Sequence, residues 1–529
     1  MSSPHHPADH AAPLLPNAAN GQSRNGQSNH SQNGHLPNAR PPGASSGAGQ
    51  NAHAGKRLGS LLCWAVVFAD IGTSVYYVPG ILYGQVGHLA GLFVTLTLIV
   101  FLLLTLKYAE ATVRFPEGGG EVTVASRGLS PWAGALGGMF ILIDYFLTAA
   151  ISSLSGLHYF SLVLPALTPY VLLGTIVVLI GLGLLNWWGV RESATVSAVI
   201  ASLAFVSDLV IIGLVLLHVP PSTIFAIFRE IFAGHELTGV TILTGYAGAF
   251  LAFSGLESIA QLAPVMQVPR RKIVSAALAV VALTVGFTSP LLTIFSTILL
   301  TDPRFRGTML SPSYATNIEP AQFISLLAGA YGGVVLAIAV AITASALLIF
   351  ASNTAIIGAY HVVLALSRLR YFPRIVRRTD RLRKSPFVAI GLVTFIPLAV
   401  LVAVQGNIDL LGELYGFGLL GAFSLMCISM DLIRWRERRG EAYIGARIDP
   451  ELADSFTVAH AGYESRPAAG KPGWQAELRT RWARVADASH VAAFSSQVQA
   501  ASAAGRAVWS RVWPNLKYYL GFLTTALVL

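Results

Sequence analysis

Charged residues are scarce in this chain. Asp, Glu, Lys and Arg make up 11% of its 529 residues, against roughly 25% in an average soluble domain. With 54% of residues hydrophobic, a soluble globular protein is excluded and a polytopic membrane protein is indicated. Cysteine is nearly missing. Cys63 and Cys427 both sit in apolar runs, which excludes a disulfide framework and a cysteine metal cluster. The glycine run Gly118-Gly119-Gly120 is followed by no Lys-Ser or Lys-Thr. No nucleotide-binding motif occurs elsewhere, so neither ATP nor a cofactor nor an enzymatic activity is expected. Residues 1–55 lack an apolar core, which excludes a cleaved signal peptide and leaves the first apolar run as its own insertion signal. The net charge of +10 does not call for nucleic acid, because basic flanks of cytoplasmic membrane ends produce the same excess.

What is present is a series of apolar runs, near 58–83, 88–108, 133–164, 170–188, 195–219, 240–264, 273–301, 324–366, 387–405 and 411–433. Each is long enough to cross a bilayer, which takes about 20 residues. The third and eighth are longer than that, so tilted or protruding helices are expected there. With the N-terminus inside, the inner side up to the ninth run carries 17 Lys and Arg, and the outer side carries only Arg229, Arg304 and Arg306. This asymmetry predicts a cytoplasmic N-terminus in the cell membrane.

Four domains follow. Residues 1–55, rich in Asn, Gly, His, Ser and Pro, form a disordered cytoplasmic tail whose six scattered histidines are not a metal site. Residues 56–433 form the ten-span core. Residues 434–514 form a basic cytoplasmic loop. Its second half reads either as a cytosolic linker or as an interfacial helix anchored by Trp482, Phe494, Trp509 and Trp513. Residues 515–529 are apolar but too short to span, and read as the start of an incomplete eleventh span.

The chemistry concentrates in two runs. The first contains Phe68-Ala69-Asp70-Ile71-Gly72-Thr73-Ser74-Val75-Tyr76-Tyr77. A carboxylate at membrane depth is costly and is rarely present without a use. Gly-Thr-Ser is poor helix chemistry, because glycine frees the backbone and the hydroxyls compete for its hydrogen bonds. One reading is a broken helix that exposes amides, carbonyls and Asp70 to a ligand; the other is a kinked helix with Asp70 satisfied by a neighbour. The sixth run repeats the pattern in Ala252-Phe253-Ser254-Gly255-Leu256-Glu257-Ser258. Interrupted spans at matching positions of two halves point to a transporter with inverted repeats, 58–219 and 240–433, and a site near the midplane.

The third run adds Asp144, Tyr145 and Thr148. Asp144 and Thr148 are one turn apart and share a helix face. Asp208 in the fifth run is a further carboxylate at membrane depth with fewer polar neighbours. Glu110 lies near the cytoplasmic end of the second run, where it can reach water, and Pro116 to Glu121 read as a flexible inner loop.

These residues resemble a family. Phe115-Pro116-Glu117-Gly118-Gly119-Gly120 is similar to the loop after the second span of the amino acid–polyamine–organocation (APC) superfamily. Ile143-Asp144-Tyr145 with Thr148 resembles its third-span start, and Ser254-Gly255-Leu256-Glu257 its sixth-span break. Ala351-Ser352-Asn353-Thr354-Ala355 through Tyr371-Phe372-Pro373-Arg374 resembles its eighth-span end. The resemblance covers about residues 58–434. It implies an all-α polytopic membrane protein with a LeuT-type 5+5 inverted repeat, broken spans 1 and 6, ten complete spans and the start of an eleventh.

Within the superfamily, Asp70-Ile71-Gly72-Thr73-Ser74 resembles the Asp-x-Gly-Thr-Ser of KUP potassium transporters. Its spacing to Tyr77 resembles KimA-type importers. That resemblance implies an ion or substrate site made of Asp70, Gly72, Thr73, Ser74, Tyr77, Asp144, Tyr145, Thr148, Ser254 and Gly255. Within it, K+ would lie against Asp70, Tyr77, Tyr145, Thr148 and Ser254; no other metal is expected. KimA-type chains also carry a nucleotide-sensing cytosolic domain, and 434–514 does not read as one.

The expected activity is secondary active uptake, coupled to protons or to sodium, with protons ranked first. Asp144, Glu257 and Asp208 are the proton-coupling candidates. Proton and cation compete for the same negative charge, which links the two ligands. Potassium ranks ahead of an amino acid. An amino acid permease remains the alternative, and a non-transporting membrane receptor or scaffold, which leaves the paired breaks unexplained, is the alternative of another class. The expected partners are a small solute or K+ and the lipid bilayer; a homodimer is left open.

Overall fold

The structure, a computed structural model, describes residues 57–189, 194–231, 237–316, 318–380, 385–439 and 518–529. The expected tail at 1–55 and the basic loop beyond residue 439, with its four aromatic anchors, lie outside the described residues.

Regular structure among the described residues is helical, apart from one isolated bridge between Leu58 and Met266. Eight helical stretches are long and apolar enough to cross a membrane. The first, Ser60–Arg114, holds two of the ten expected runs: α1 (Ser60–Ile71), α2 (Ser74–Val86) and α3 (Ala90–Arg114). After the short α4 (Gly120–Gly128) come α5 (Pro131–Val163), α6 (Val171–Trp187) and α7 (Ala194–His218). The short α8 (Pro221–Glu230) leads to α9 (Gly239–Ala249) and α10 (Ser258–Gln261), then α11 (Arg270–Leu299) and α12 (Phe323–Arg368). The ninth run is α13 (Phe387–Ala403), apolar but only 17 residues long. α14 (Ile408–Arg438) and α15 (Tyr518–Val528) complete the described chain.

The exposed faces show which solvent the bundle fits. On α6, Leu173, Val177, Ile180 and Leu184 are 45–61% exposed, and their spacing puts them on one face. A helix apolar on both its packed and its open side belongs in lipid. Inside, close packing depends on small residues. α5 meets α12 through Ser153 and Ser352, whose hydroxyls are 2.8 Å apart, while Ser352 also donates to the Ala149 carbonyl at 3.1 Å. A Cβ at Gly156 would already lie 3.3 Å from Leu348 and Ile349 of α12.

The eighth run departs from the sequence reading of one long, tilted helix. α12 turns at Gly333, whose φ of 76° and ψ of −176° break the helix. Ser325 then donates to the Ala337 carbonyl at 2.6 Å, a contact impossible along twelve residues of straight helix, which span about 18 Å. Glycine permits this backbone because it has no Cβ to collide with the chain.

Two expectations about the inner end are corrected. Glu110 reaches little water: it is 8% exposed at the wall of a cleft and pairs with Arg434 at 2.7 Å and Arg114 at 2.7 Å. α3 continues past the expected end at 108 to Arg114, which brings Glu110 under α14. Of the expected loop Pro116 to Glu121, only the first four residues lie outside a helix. Gly120 opens α4, and Glu121 is 1% exposed with Tyr108 donating to it at 2.5 Å. Lys107, one of the basic residues counted for orientation, is likewise buried, paired with Asp431 at 2.9 Å.

Candidate functional site

The two interrupted runs meet. Leu58 at the start of α1 bonds to the Val265 carbonyl and accepts from Gln267, both at 2.9 Å, which ties the beginning of the first run to the end of the sixth. Deeper in, Ser258 donates a hydrogen bond to Asp70 Oδ2. A Cβ on Gly255 would sit 2.7 Å from the Ile71 nitrogen and 3.0 Å from Asp70 Cγ. The two breaks are therefore in backbone contact.

They are unequal. In the sixth run the helix opens: Ser254 is extended, with ψ of 146°, and Gly255 has φ of +101°. In the first run only Gly72 and Thr73 separate α1 from α2, and both keep near-helical angles. The interruption is a tightened turn, with Tyr76 bonding back three residues to Thr73 at 3.0 Å. The Asp70 carbonyl, expected to be open to a ligand, accepts both the Thr73 amide at 3.3 Å and its hydroxyl at 2.5 Å. Threonine's hydroxyl competition explains the kink and also closes the carbonyl.

Around this junction stand most of the residues singled out from the sequence. Ser74 and Tyr77 are buried and share a hydrogen bond of 3.2 Å. On α5, Asp144 is 1% exposed, and neither carboxylate oxygen has a hydrogen bond of full geometry, although Tyr415 and Glu257 lie beside it. Thr148, one turn on, bonds to the Tyr415 hydroxyl at 2.6 Å, and Ser254 bonds to the same hydroxyl from the sixth run. Glu257 Oε2 accepts from the Gly255 amide at 3.1 Å. The Tyr145 hydroxyl accepts from Gln261.

Asp208 is not brought into this group. It is fully buried on α7, and Tyr76 donates to it at 3.1 Å. Tyr76 and Tyr77 are adjacent and point to different sides of α2, so Asp208 faces away from the cluster around Tyr77.

Tyr415 and Gln261, which no motif marks, join the site, as do Ser258 and Glu121, which lie in the quoted segments but not among the expected site residues. Tyr415 bridges α5 and the sixth run. The available signal was its setting, Gly412-Glu413-Leu414-Tyr415-Gly416-Phe417-Gly418. Glycines there let α14 close on α5, where a Cβ at Gly418 would lie 3.0 Å from the Asp144 nitrogen. Ser258 closes the sixth-run motif, and Gln261 sits three residues past it. Glu121 approaches from α4; burial holds its carboxyl above the ordinary carboxylate range, and the Tyr108 hydrogen bond pulls the other way.

The electrostatic result is a group of buried carboxyls, Asp70, Asp144, Glu257 and Glu121, in mutual electrostatic reach. Among the described residues no Lys, Arg or His hydrogen-bonds or ion-pairs with any of them. Oxygen ligands from hydroxyls and carboxylates converge without a resident cation. Such a donor set suits a hard monovalent cation or protons.

Residues 60–457 match the family model described as amino acid permease. Potassium transporter KimA of Bacillus subtilis (strain 168) is 26% identical over 354 residues, 66% of this chain and 55% of KimA. The chain thus spans about half the length of that relative. The probable potassium transport system protein Kup 3 of Dechloromonas aromatica (strain RCB) is 26% identical over 452 residues, 77% of this chain and 67% of Kup 3. Among solved structures, a manganese transporter from Eremococcus coleocola aligns with a TM-score of 0.42 at 14% identity, covering 88% of this chain and 95% of that one. The matched model covers most of the chain, and the chain belongs to the amino acid permease family of the APC superfamily.

Proposed function

We propose that the protein is a secondary active transporter that carries a monovalent cation, with potassium as the substrate and protons as the coupling ion. The observation that carries this reading is the carboxyl cluster at Asp70, Asp144 and Glu257, which has no cationic partner among the described residues. A dehydrated cation gains carboxylate and hydroxyl oxygens there, from Asp70, Tyr77, Tyr145, Thr148 and Ser254. Protons compete for the same charge, and Asp144 and Glu257 are the coupling groups. Asp208, held by Tyr76 outside the cluster, supports its own side of α7 instead. The named relatives that transport potassium support the substrate.

The amino acid reading is weakened by two contacts. The Gly72 and Thr73 amides, which that reading needs for the substrate carboxylate, bond to the Phe68 carbonyl at 2.8 Å and to the Asp70 carbonyl at 3.3 Å. In this proposal the core is a 5+5 inverted repeat of ten spans, with the breaks of spans 1 and 6 paired at the Asp70–Ser258 contact. The N-terminus faces the cytoplasm of a cell membrane.

The test is uptake in proteoliposomes of rubidium or potassium against a panel of amino acids, with an imposed pH gradient. Rubidium uptake that rises with the gradient is expected. Robust amino acid uptake without rubidium flux would transfer the site to the amino acid reading. Cysteines placed between 369 and 380 should label only from the cytoplasmic side.

A further inference from the structure

A second charged region lies at the inner ends of α3 and α14. A cleft of about 640 Å³ opens between the ends of α3, α11 and α14, with Tyr518 of α15 on its rim. Arg114, Arg271, Arg434 and Arg438 line it, opposed by Glu110 and Glu437. The two glutamates are engaged within the protein: Glu110 with Arg434 and Arg114, Glu437 with Arg114 at 2.5 Å. The lining thus carries two more positive than negative charges.

One element supplies an independent reason for an anion there. α11 opens with Arg270-Arg271-Lys272 and has no acidic residue in its first turn. A helix N-terminus already carries positive partial charge, so three cations on it are mutually unfavourable. The bias of basic residues toward inner loops explains their sign. It does not explain why Arg271, exposed and without an ion pair among the described residues, is turned toward three further arginines. A phosphate between them would satisfy both the helix end and the arginines.

The cleft walls name the kind of anion. Leu106 and Val113 line it and are 37% and 39% exposed, and Ile99 and Leu102 continue that open apolar face along α3 into the spanning region. A charged floor continuous with an apolar, lipid-facing stripe fits a molecule with a phosphate head and acyl chains. We infer that this cleft binds an anionic phospholipid, with its phosphate between Arg271 and the α14 arginines and an acyl chain along Leu106, Leu102 and Ile99. The inference does not depend on which solute is carried.

The experiment uses the full chain in detergent, titrated with phosphatidylglycerol, phosphatidylcholine or inorganic phosphate, with bound lipid counted by native mass spectrometry. Arg271→Gln and Lys272→Gln each remove one charge from the same helix end, but only Arg271 lines the cleft. A merely superficial attraction, worth about fivefold in affinity per basic residue, lowers binding equally in both. A built site lowers phosphatidylglycerol binding about tenfold or more in Arg271→Gln and leaves Lys272→Gln within about twofold of the parent. Equal losses in the two variants, or no preference of the parent for phosphatidylglycerol over phosphatidylcholine, overturn the inference. Inorganic phosphate displacing the lipid at equal concentration overturns the lipid as occupant. Matching thermal unfolding of both variants in phosphatidylcholine separates loss of the site from loss of the fold.

Discussion

Ser258 donates a hydrogen bond to Asp70, and the two residues belong to the two interrupted runs of the chain. Through this contact the carboxylate of the first break is held by a side-chain hydroxyl at the end of the second. Any movement of α9–α10 against α1–α2 therefore changes the environment of Asp70 directly. The same junction places Gly255 against the Ile71 backbone, leaving no room for a side chain.

That close approach makes Gly255 a sensitive glycine of the site. Gly255→Ala must place a Cβ 2.7 Å from the Ile71 nitrogen while holding φ of +101°, a conformation that costs a non-glycine residue about 1–3 kcal/mol. The variant is expected to lose about tenfold or more in uptake rate and to unfold at lower temperature. Gly239→Ala, with nothing within 4 Å of its added Cβ, is the matched control. Equal behaviour of the two variants would remove the close contact from the account of the site.

Much of this junction was legible in the sequence, and the reason is chemical. A carboxylate or a Gly-Ser step in an apolar run is conspicuous against lipid-compatible neighbours, so Asp70, Asp144, Ser254 and Glu257 stand out. Tyr415 does not, because one tyrosine in an apolar helix is ordinary. Its role depends on α14 crossing α5 and the sixth run at one point, which is a tertiary fact. The depth of Glu110 and Glu121 was misread for the same reason. Position near the end of a run predicts water, but α14 brings Arg434 onto Glu110, and Tyr108 of α3 meets Glu121. Asp208 was as conspicuous as Asp144, yet Tyr76 turns it away, and alternation of faces between neighbouring tyrosines is invisible without the helix geometry.

The buried pair at the inner end gives a stability prediction. Lys107 pairs with Asp431 at 2.9 Å and also donates to the Cys427 carbonyl at 3.1 Å and to Thr525 of α15 at 2.7 Å. Lys107→Met leaves a buried carboxylate with one partner fewer, a loss of about 3–5 kcal/mol. The double variant Lys107→Met with Asp431→Leu is expected to recover most of it, because no charge is stranded and Arg434 keeps Glu110. Denaturant unfolding of the four proteins in the cycle measures the coupling. Additive losses would mean that the pair is not an energetic unit.

Glu121 gives a pH prediction. Its carboxyl is held above the ordinary range by burial, so the folded state binds the proton more tightly than the unfolded chain. That contribution is complete below the unfolded value, about 4.3, and is lost as pH rises through the folded value. Glu121→Gln, which keeps an acceptor for the Tyr108 hydroxyl, should therefore unfold at higher temperature than the parent near neutral pH. The two should converge at acidic pH. A constant difference across the range would show that the side chain acts through shape and not through its charge.

Asp70 carries the decisive prediction for the substrate. Asp70→Asn keeps the shape of the side chain and an oxygen that can accept from Ser258, but it removes the negative charge facing the cluster. Removing one partner of a desolvated charge pair costs about 2–5 kcal/mol. That is roughly 30-fold to a few thousand-fold in affinity. Rubidium uptake by the parent, and its collapse in Asp70→Asn with thermal unfolding no lower than the parent's, is the expected outcome. An amino acid held by backbone amides at Gly72–Ser74 responds differently, because those amides survive the substitution. Its amino group could still rest on Asp70, so both fluxes are measured on the same vesicles. Retained rubidium transport in Asp70→Asn would remove this carboxylate from the ion site and leave Asp144 and Glu257 as the charges that a cation meets.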